Sequence, residues 1–451
     1  MQRPIGTEPK ARIIYVGGDR DALASLTMSF AEDDVEVVSH EDAVLAKQTA
    51  DIGLIDLRGR TLSSRKAQSI AGVLRKTSPE SVILMIIDAY IDETARKALR
   101  RYGELVCVLT QPDALIERCR QILRLRNIAE EAGERLKTLA TISRLNEFPP
   151  ISAPAAPIRV LIAGVAGPPA LAALNALRPN TEQCICVFSA GQALRAVESA
   201  RFDAALFLPS RDTDPLLSLA RSLRRHPKYA SLPIIFAAGD PDDAAEFAKR
   251  GASDFILNTH VPTDLAPKIQ IAARRARLLK GMRRFLQACD GDGVRDGSSG
   301  AFSASFLSEH GARLCARADQ SGRQIAITAL SIETRSRTDG EPEPGKRALH
   351  QAARLINRVT RSEDIVARVA SETFIVMMPA TTEANAEKAG QRIRGVLENS
   401  VFRGGNGDLL YGIQVDIASC IRPEGLCIEE SVALAMAVLR ESASSRVSEV
   451  R

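Results

Sequence analysis

The sequence predicts an α/β protein in which two parallel sheets, each wrapped by helices, precede a third domain of mixed α and β structure. Short apolar runs alternate with helical stretches twice, over residues 10–130 and 156–282. That alternation is typical of strands buried on both faces by crossover helices. A proline-rich stretch separates the two repeats, and a glycine-rich break follows the second. A chain of 451 residues is long enough for roughly three domains.

Each repeat contains five apolar runs, the number of strands in a flavodoxin-like sheet. In the first repeat the runs are Ile13–Val16, Val35–Val38, Ile52–Ile55, Val82–Ile87 and Val106–Leu109. In the second they are Val160–Ala163, Cys184–Phe188, Ala204–Leu208, Ile234–Ala237 and Phe255–Leu257. We therefore expect two such domains, over residues 10–145 and 158–288.

The segments between these units have their own patterns. Residues 146–157 hold four prolines, which predicts a semi-rigid linker. Helical patterns run over Ala114–Arg144 and Asp264–Cys289, and the second has one apolar stripe. Six basic residues lie mostly off that stripe and are interpreted as a solvated face, with nucleic acid or anionic lipid as the alternative: Arg274, Arg275, Arg277, Lys280, Arg283 and Arg284. A third domain is expected over residues 289–451.

Bulk composition excludes several classes of function. The net charge is +5 and basic residues are spread along the chain, so nucleic-acid binding is not expected. No apolar run approaches the roughly 20 residues that span a bilayer, and the N-terminus shows no secretory signal. The eight cysteines are scattered without a Cys-x-x-Cys pair, which favours reduced thiols. We expect a cytoplasmic protein without membrane insertion.

The first repeat resembles the receiver domains of response regulators. Asp56 ends its third apolar run, where receivers carry the aspartate that accepts a phosphoryl group. The resemblance implies Mg²⁺ at this site if Asp56 is phosphorylated, because hard cations prefer carboxylate oxygens. Other positions depart from the pattern: Gly17 and Gly18 replace the acidic pair, Asp88 the hydroxyl residue and Gln111 the lysine. A structural aspartate at a strand end is the alternative.

The second repeat keeps the receiver-like pattern without its chemistry. Leu208 stands at the acceptor position, and Ala238 and Asn258 replace the hydroxyl residue and the lysine. We interpret this unit as a degenerate receiver that serves interaction or dimerisation.

The most informative motif lies between residues 361 and 374. An Arg-x-x-Asp motif, Arg361 to Asp364, is followed after five residues by the turn Ala370-Ser371-Glu372-Thr373-Phe374. This register resembles the signature hairpin of GGDEF domains, which condense two GTP into cyclic di-GMP. The resemblance covers about residues 290–451 and implies a nucleotidyl-cyclase-like α+β fold.

The resemblance also implies that catalysis is lost. Ser331 replaces a metal-binding aspartate, and a hydroxyl cannot replace a carboxylate beneath divalent cations. Lys346 stands where guanine is bound and has no acceptor group. Ala370 and Ser371 replace the glycines of the turn, and only Glu372 keeps a carboxylate there. We expect a degenerate diguanylate cyclase, with no catalytic residues and no metal.

The product-binding site of the family, in contrast, is complete. The resemblance assigns it to Arg361, Asp364 and Arg392. Arginine forks pair bidentately with guanine or phosphate, and a carboxylate accepts guanine N–H groups. Cyclic di-GMP is therefore the expected ligand. A surface ion pair without a ligand is the alternative.

The three-part architecture resembles regulators of the PleD type and, among them, PopA-like effectors of the cell cycle. That resemblance implies an adaptor, acting as a homodimer at a cell pole, that presents a regulator to ClpXP proteolysis through protein partners. Two alternatives stay open. One is a weak cyclase that uses Glu372 with Glu333, and the other is a phosphorylation-gated scaffold that binds no nucleotide.

Overall fold

The computed structural model describes residues 11–31, 35–41, 49–60, 62–88, 91–107, 113–142, 157–209, 215–226, 228–240, 243, 247, 251–289, 293–334, 346–403 and 410–449. The predicted linker, apart from Pro157, lies outside these residues, and so does Gln111.

The first unit is a parallel five-stranded sheet in the order β2-β1-β3-β4-β5, an order typical of doubly wound folds. Its strands are β1 (Ala11–Val16), β2 (Val35–Ser39), β3 (Ile52–Asp56), β4 (Val82–Ile87) and β5 (Glu104–Cys107). Its helices are α1 (Arg20–Ser29), α2 (Ser64–Thr77), α3 (Glu93–Arg100) and α4 (Asp113–Ile142). Helices cover both faces of the sheet, which explains why β1 and β3 are buried at every residue.

The second unit repeats this order as β10-β9-β8-β6-β7. Its strands are β6 (Ile158–Gly164), β7 (Thr181–Val187), β8 (Ala204–Leu208), β9 (Ile234–Ala238) and β10 (Asp254–Leu257). Its helices are α5 (Pro168–Leu177), α6 (Ala190–Ser199), α7 (Pro215–Arg225) and α8 (Val261–Ala288). The α/β class predicted from the alternating pattern is confirmed.

The C-terminal domain has an antiparallel four-stranded sheet in the order β12-β13-β11-β16. Its strands are β11 (Ile325–Thr334), β12 (Ile365–Arg368), β13 (Thr373–Pro379) and β16 (Ile413–Ile421), beside the pair β14 (Phe402–Arg403) and β15 (Leu410–Tyr411). Its helices are α9 (Ala304–Ser321), α10 (Lys346–Val359), α11 (Glu383–Glu398) and α12 (Ile428–Glu449).

Two apolar cores lie on opposite faces of this sheet. Ile327 and Ala329 of β11 point into one core, and Leu330 and Ile332 point into the other, because successive side chains of a strand alternate. The first core also contains Ile128 of α4 and apolar residues of α8. Both long helices of the α/β units therefore end inside the C-terminal domain.

The two α/β units are joined by ion pairs. Asp264, at the start of α8, accepts from Arg96 and Arg100 of α3 and is 4% exposed. Arg275 of α8 lies 2.8 Å from Glu104 of β5.

The prediction of a solvated face on α8 is therefore wrong for three of its six basic residues, one of which, Arg283, has a buried Nε atom. The other two make contacts between elements: Arg275 pairs with Glu104, and Arg277 donates to Asp203 at 2.6 Å. Among the helices within the described ranges, none is long and apolar enough to cross a membrane.

Candidate functional site

The Arg-x-x-Asp loop connects α10 to β12 and is closed by its own aspartate. The Asp364 carboxylate accepts the backbone N–H of Arg361 at 2.7 Å, and the Asp364 N–H donates to the Arg361 carbonyl at 3.2 Å. Aspartate commonly caps a short turn in this way. The turn leaves the Arg361 side chain exposed, while Asp364 is only 6% exposed.

Arg392 reaches this loop from α11. Its Nε donates to the carbonyl of Val359 at 2.9 Å, two residues before Arg361. Arg392 is exposed like Arg361, and its hydrogen bond places its guanidinium group beside the end of α10. The three residues predicted from the sequence therefore lie in this loop or in contact with the segment that leads into it.

The electrostatics of Asp364 are unusual. Burial, together with the neighbouring Glu363 carboxylate, raises the pKa of Asp364 to about 7, against the lowering effect of the Arg361 N–H and guanidinium. Its Oδ1 atom is buried and has no hydrogen-bond partner among the described residues. An unsatisfied buried acceptor costs about 1–3 kcal/mol. A donor arriving from a ligand would remove that cost.

A pocket of about 190 Å³ lies beside Arg361, between the first α/β unit and the C-terminal domain. Its polar lining includes Arg120, Arg124 and Asn127 of α4, with Arg323, Glu363 and Asn385 of the C-terminal domain. Glu363 is 4% exposed, and its Oε1 lies 3.9 Å from the Nε of Arg124.

Sequence reasoning did not identify this lining. The α4 residues precede the Arg-x-x-Asp motif by more than 230 positions, and no local pattern links the two segments.

The turn between β12 and β13 is a tight hairpin. Thr373 and Ala370 exchange two backbone hydrogen bonds, both at 3.4 Å, and Arg368 donates to the Ser371 carbonyl at 2.6 Å. Ala380 is the single non-glycine residue with positive φ among the described positions, so Ala370 and Ser371 hold ordinary backbone conformations. They lack the left-handed geometry that glycines permit.

The other predicted degenerate positions lie around this hairpin. Ser331 of β11 is opposite Thr373 of β13 and Asp416 of β16. The carbonyl of Glu372 accepts the Ile332 N–H at 2.9 Å. Lys346 begins α10, and its side chain lies outside the described part of the chain.

The donor set at this hairpin fits the family's metals poorly, because Ser331 supplies a hydroxyl where the family uses a carboxylate. No cluster of three or more His, Cys, Asp or Glu residues able to hold a metal occurs within the described ranges.

Asp56, the predicted phosphoryl acceptor, lies at the end of β3 and is 3% exposed. Its carboxylate contacts Arg58 and Tyr15.

Comparison with known proteins identifies one domain. Residues 340–443 match the family model "Diguanylate cyclase, GGDEF domain". The response regulator PleD of Caulobacter vibrioides is 23% identical over 206 residues, and the match covers 45% of each chain. The chain thus matches just under half the length of this curated relative.

Solved structures show weaker likeness. The GGDEF domain of DgcB from Caulobacter crescentus, in complex with c-di-GMP, is 19% identical with a TM-score of 0.31, covering 35% of this chain and 91% of that one. The diguanylate cyclase SiaD from Pseudomonas aeruginosa, in complex with its activator SiaC, is 18% identical with a TM-score of 0.32. That match covers 45% of this chain and 75% of the SiaD chain. The C-terminal part of this chain therefore contains a GGDEF domain, matched over residues 340–443, and the chain is similar to PleD over just under half of its length.

Proposed function

We propose that this protein is a catalytically inactive effector that binds cyclic di-GMP through Arg361, Asp364 and Arg392. In this proposal the two α/β units are receiver domains, the second of them degenerate. The observation that carries the proposal is the unpartnered Oδ1 of Asp364, buried beside an exposed guanidinium at Arg361.

The chemistry of the three residues suits a guanine dinucleotide. Guanine offers two acceptors, O6 and N7, to an arginine fork, and its N1–H and N2–H groups need an acceptor. Asp364 supplies that acceptor, while Arg361 and Arg392 can engage O6, N7 or phosphate. Arg124 and Arg323 in the adjoining pocket add positive charge for the phosphates.

Loss of catalysis is supported by the hairpin and its neighbours. Ala370 and Ser371 introduce Cβ atoms and ordinary φ angles where the family folds two glycines around phosphate groups. Ser331 provides no carboxylate for a metal ion, and Lys346 provides no acceptor for guanine. Glu372 alone cannot form a two-metal site.

The cellular role is proposed from the resemblance to PleD-type regulators. The protein would act in the cytoplasm, as a homodimer recruited to a cell pole. There it would present a cell-cycle regulator to ClpXP proteolysis through protein partners.

Calorimetry with cyclic di-GMP tests the binding site. The wild-type protein is expected to bind, and Arg361→Ala is expected to lose about 10- to 150-fold in affinity, since a hydrogen bond to a charged group contributes about 1.5–3 kcal/mol. Arg354→Ala is the matched control, because Arg354 is exposed on α10 and makes no hydrogen bond or ion pair with the described residues. Absence of binding heat in the wild type, or equal affinity in both variants, would refute the proposal.

A second arm of the same study addresses catalysis. Purified protein incubated with GTP and Mg²⁺ is expected to form no cyclic di-GMP, as measured by chromatography. Product that accumulates in the wild type and disappears in Glu372→Gln would establish the weak cyclase instead.

A further inference from the structure

The carboxylate of Asp56 is fully engaged within its own domain. Arg58 donates from Nε to Oδ1 at 3.0 Å and from Nη2 to Oδ2 at 2.6 Å. The Arg58 backbone N–H donates to Oδ1 at 3.0 Å, and the Tyr15 hydroxyl donates to Oδ2 at 3.0 Å. Both oxygens of a carboxylate that is 3% exposed are therefore in use.

Tyr15 also fills the space where receivers carry an acidic side chain. A Cβ atom built on Gly17 would lie 2.5 Å from the Tyr15 hydroxyl and 3.0 Å from the Asp56 Cβ. Real Cβ atoms do not approach other atoms so closely, so a carboxylate at position 17 is incompatible with Tyr15 in this place. Gly17, which has no side chain, therefore leaves the space that the Tyr15 hydroxyl occupies.

The charges around Asp56 keep this arrangement stable. Burial and the Asp56 carboxylate raise the pKa of Tyr15, so its phenol stays protonated and remains a donor. The hydrogen bond to Asp56 raises the pKa of Arg58, which stays a cation.

These groups do not fit Mg²⁺. The ion requires near-octahedral oxygen ligands, and the nearest groups are a guanidinium and a phenol that donate to the same carboxylate. A divalent cation brought to Asp56 would meet the positive charge of Arg58 at close range. Gly17 and Gly18 offer no carboxylate, and the nearby Asp19 carboxylate accepts the N–H groups of Asp21 and Ala22 at the start of α1. The expectation of Mg²⁺ at this site is not supported by the residues that surround Asp56.

We propose that Arg58 is a built-in counter-ion that occupies the cation position of the first α/β unit and closes Asp56 to phosphoryl transfer. In that transfer a carboxylate oxygen attacks phosphorus, the bond from phosphorus to the donor oxygen breaks, and the donor leaves as an anion. Here both attacking oxygens accept hydrogen bonds, and Arg58 must leave before either is free. The unit is consequently held in one state by its own side chains, and phosphodonors do not change it.

The test uses the full-length protein with acetyl phosphate and Mg²⁺, and intact mass spectrometry reports the phosphoryl adduct. Wild type and Asp56→Asn are expected to show equally little adduct. The triple variant Tyr15→Val, Gly17→Asp, Arg58→Ala removes the counter-ion and restores an acidic group, and it is expected to gain an adduct that further replacement of Asp56 by Asn abolishes. Arg65→Ala, an exposed arginine on α2, is the matched control and should stay like wild type.

An Asp56-dependent adduct in wild type overturns the proposal, and so does a folded triple variant that stays unmodified. A second measurement on wild type alone avoids dependence on the folding of the triple variant. Its melting temperature should not respond to Mg²⁺ differently from that of Asp56→Asn, and a saturable Mg²⁺ stabilisation that requires Asp56 contradicts the closed site. These readouts involve no nucleotide, so they are independent of cyclic di-GMP binding.

Discussion

Asp364 combines burial, a like-charged neighbour and an oxygen without a partner within the described ranges. Each of these features disfavours the ionised form in the absence of ligand, and the backbone N–H of Arg361 offsets only part of that effect. A ligand that donates hydrogen bonds would therefore gain from a carboxylate that the protein itself leaves under-satisfied.

Stability should depend on pH through this group. The pKa of Asp364 in the folded protein is about 7, above its ordinary value of 3.8. Between these two values the folded state holds a proton that the unfolded state has released, so stability falls as pH rises from about 4 to about 7. Between pH 5 and pH 8, the melting temperature of the Asp364→Asn variant is expected to fall less than that of the wild-type protein.

Calorimetric scans of the ligand-free protein at both pH values measure this difference. Asp21→Asn, an exposed change of the same charge on α1, should keep the wild-type slope. An unchanged slope in Asp364→Asn would show that Asp364 does not titrate in this range.

At the scale of single residues, Arg361, Asp364 and Arg392 were assigned from local patterns in the loop before β12 and in α11, and their role as ligand-binding residues stays a prediction. The sequence did not predict Glu363 or Arg124, which meet only after the first unit packs on the C-terminal domain. The sequence did not predict the role of Tyr15 either, since that role depends on Gly17 and on Asp56 in another strand.

At the scale of elements, α4 carries a polar contact into an apolar core. Glu131 and Arg135, both almost fully buried, pair at 2.6 Å, and Arg135 also donates to the Leu286 carbonyl of α8 at 3.1 Å. His310 of α9 lies 3.0 Å from Glu131, and the Arg135 guanidinium stacks over Phe302. Although burial alone raises the pKa of Glu131, Arg135 and His310 hold it below the usual range.

Removing one member of this pair should be costly. Arg135→Met is expected to destabilise the C-terminal domain by about 3–5 kcal/mol, because it leaves a buried charge without its main partner. The double variant Glu131→Gln, Arg135→Met should recover part of the loss. Chemical denaturation followed by circular dichroism provides the measurement.

Lys137→Met is the control for this pair, since the Lys137 side chain is 63% exposed and its ion pair with Glu134 is expected to contribute at most about 1 kcal/mol. Equal losses in Arg135→Met and Lys137→Met would mean that the buried network adds no stability.

At the scale of the whole molecule, the strand pattern was predictable because buried parallel strands are continuous apolar runs. The predicted run Ile52–Ile55 became β3 with one further residue, Asp56. Strand β7 was less predictable: it begins at Thr181, before the apolar run, because an edge strand tolerates polar residues. The contacts between units, such as Asp264 with Arg96 and Arg100, leave no signal in a single sequence.

The shared core of α4, α8 and the C-terminal sheet has a consequence for how such a chain could be rearranged in evolution. A gene fragment encoding only the last 160 or so residues would lack the apolar side chains that α4 and α8 contribute, and its product would expose the surface they cover. A fusion of this domain to another sensor would therefore need to include both helices. The heritable module is larger than the domain, and it includes the ends of its two neighbours.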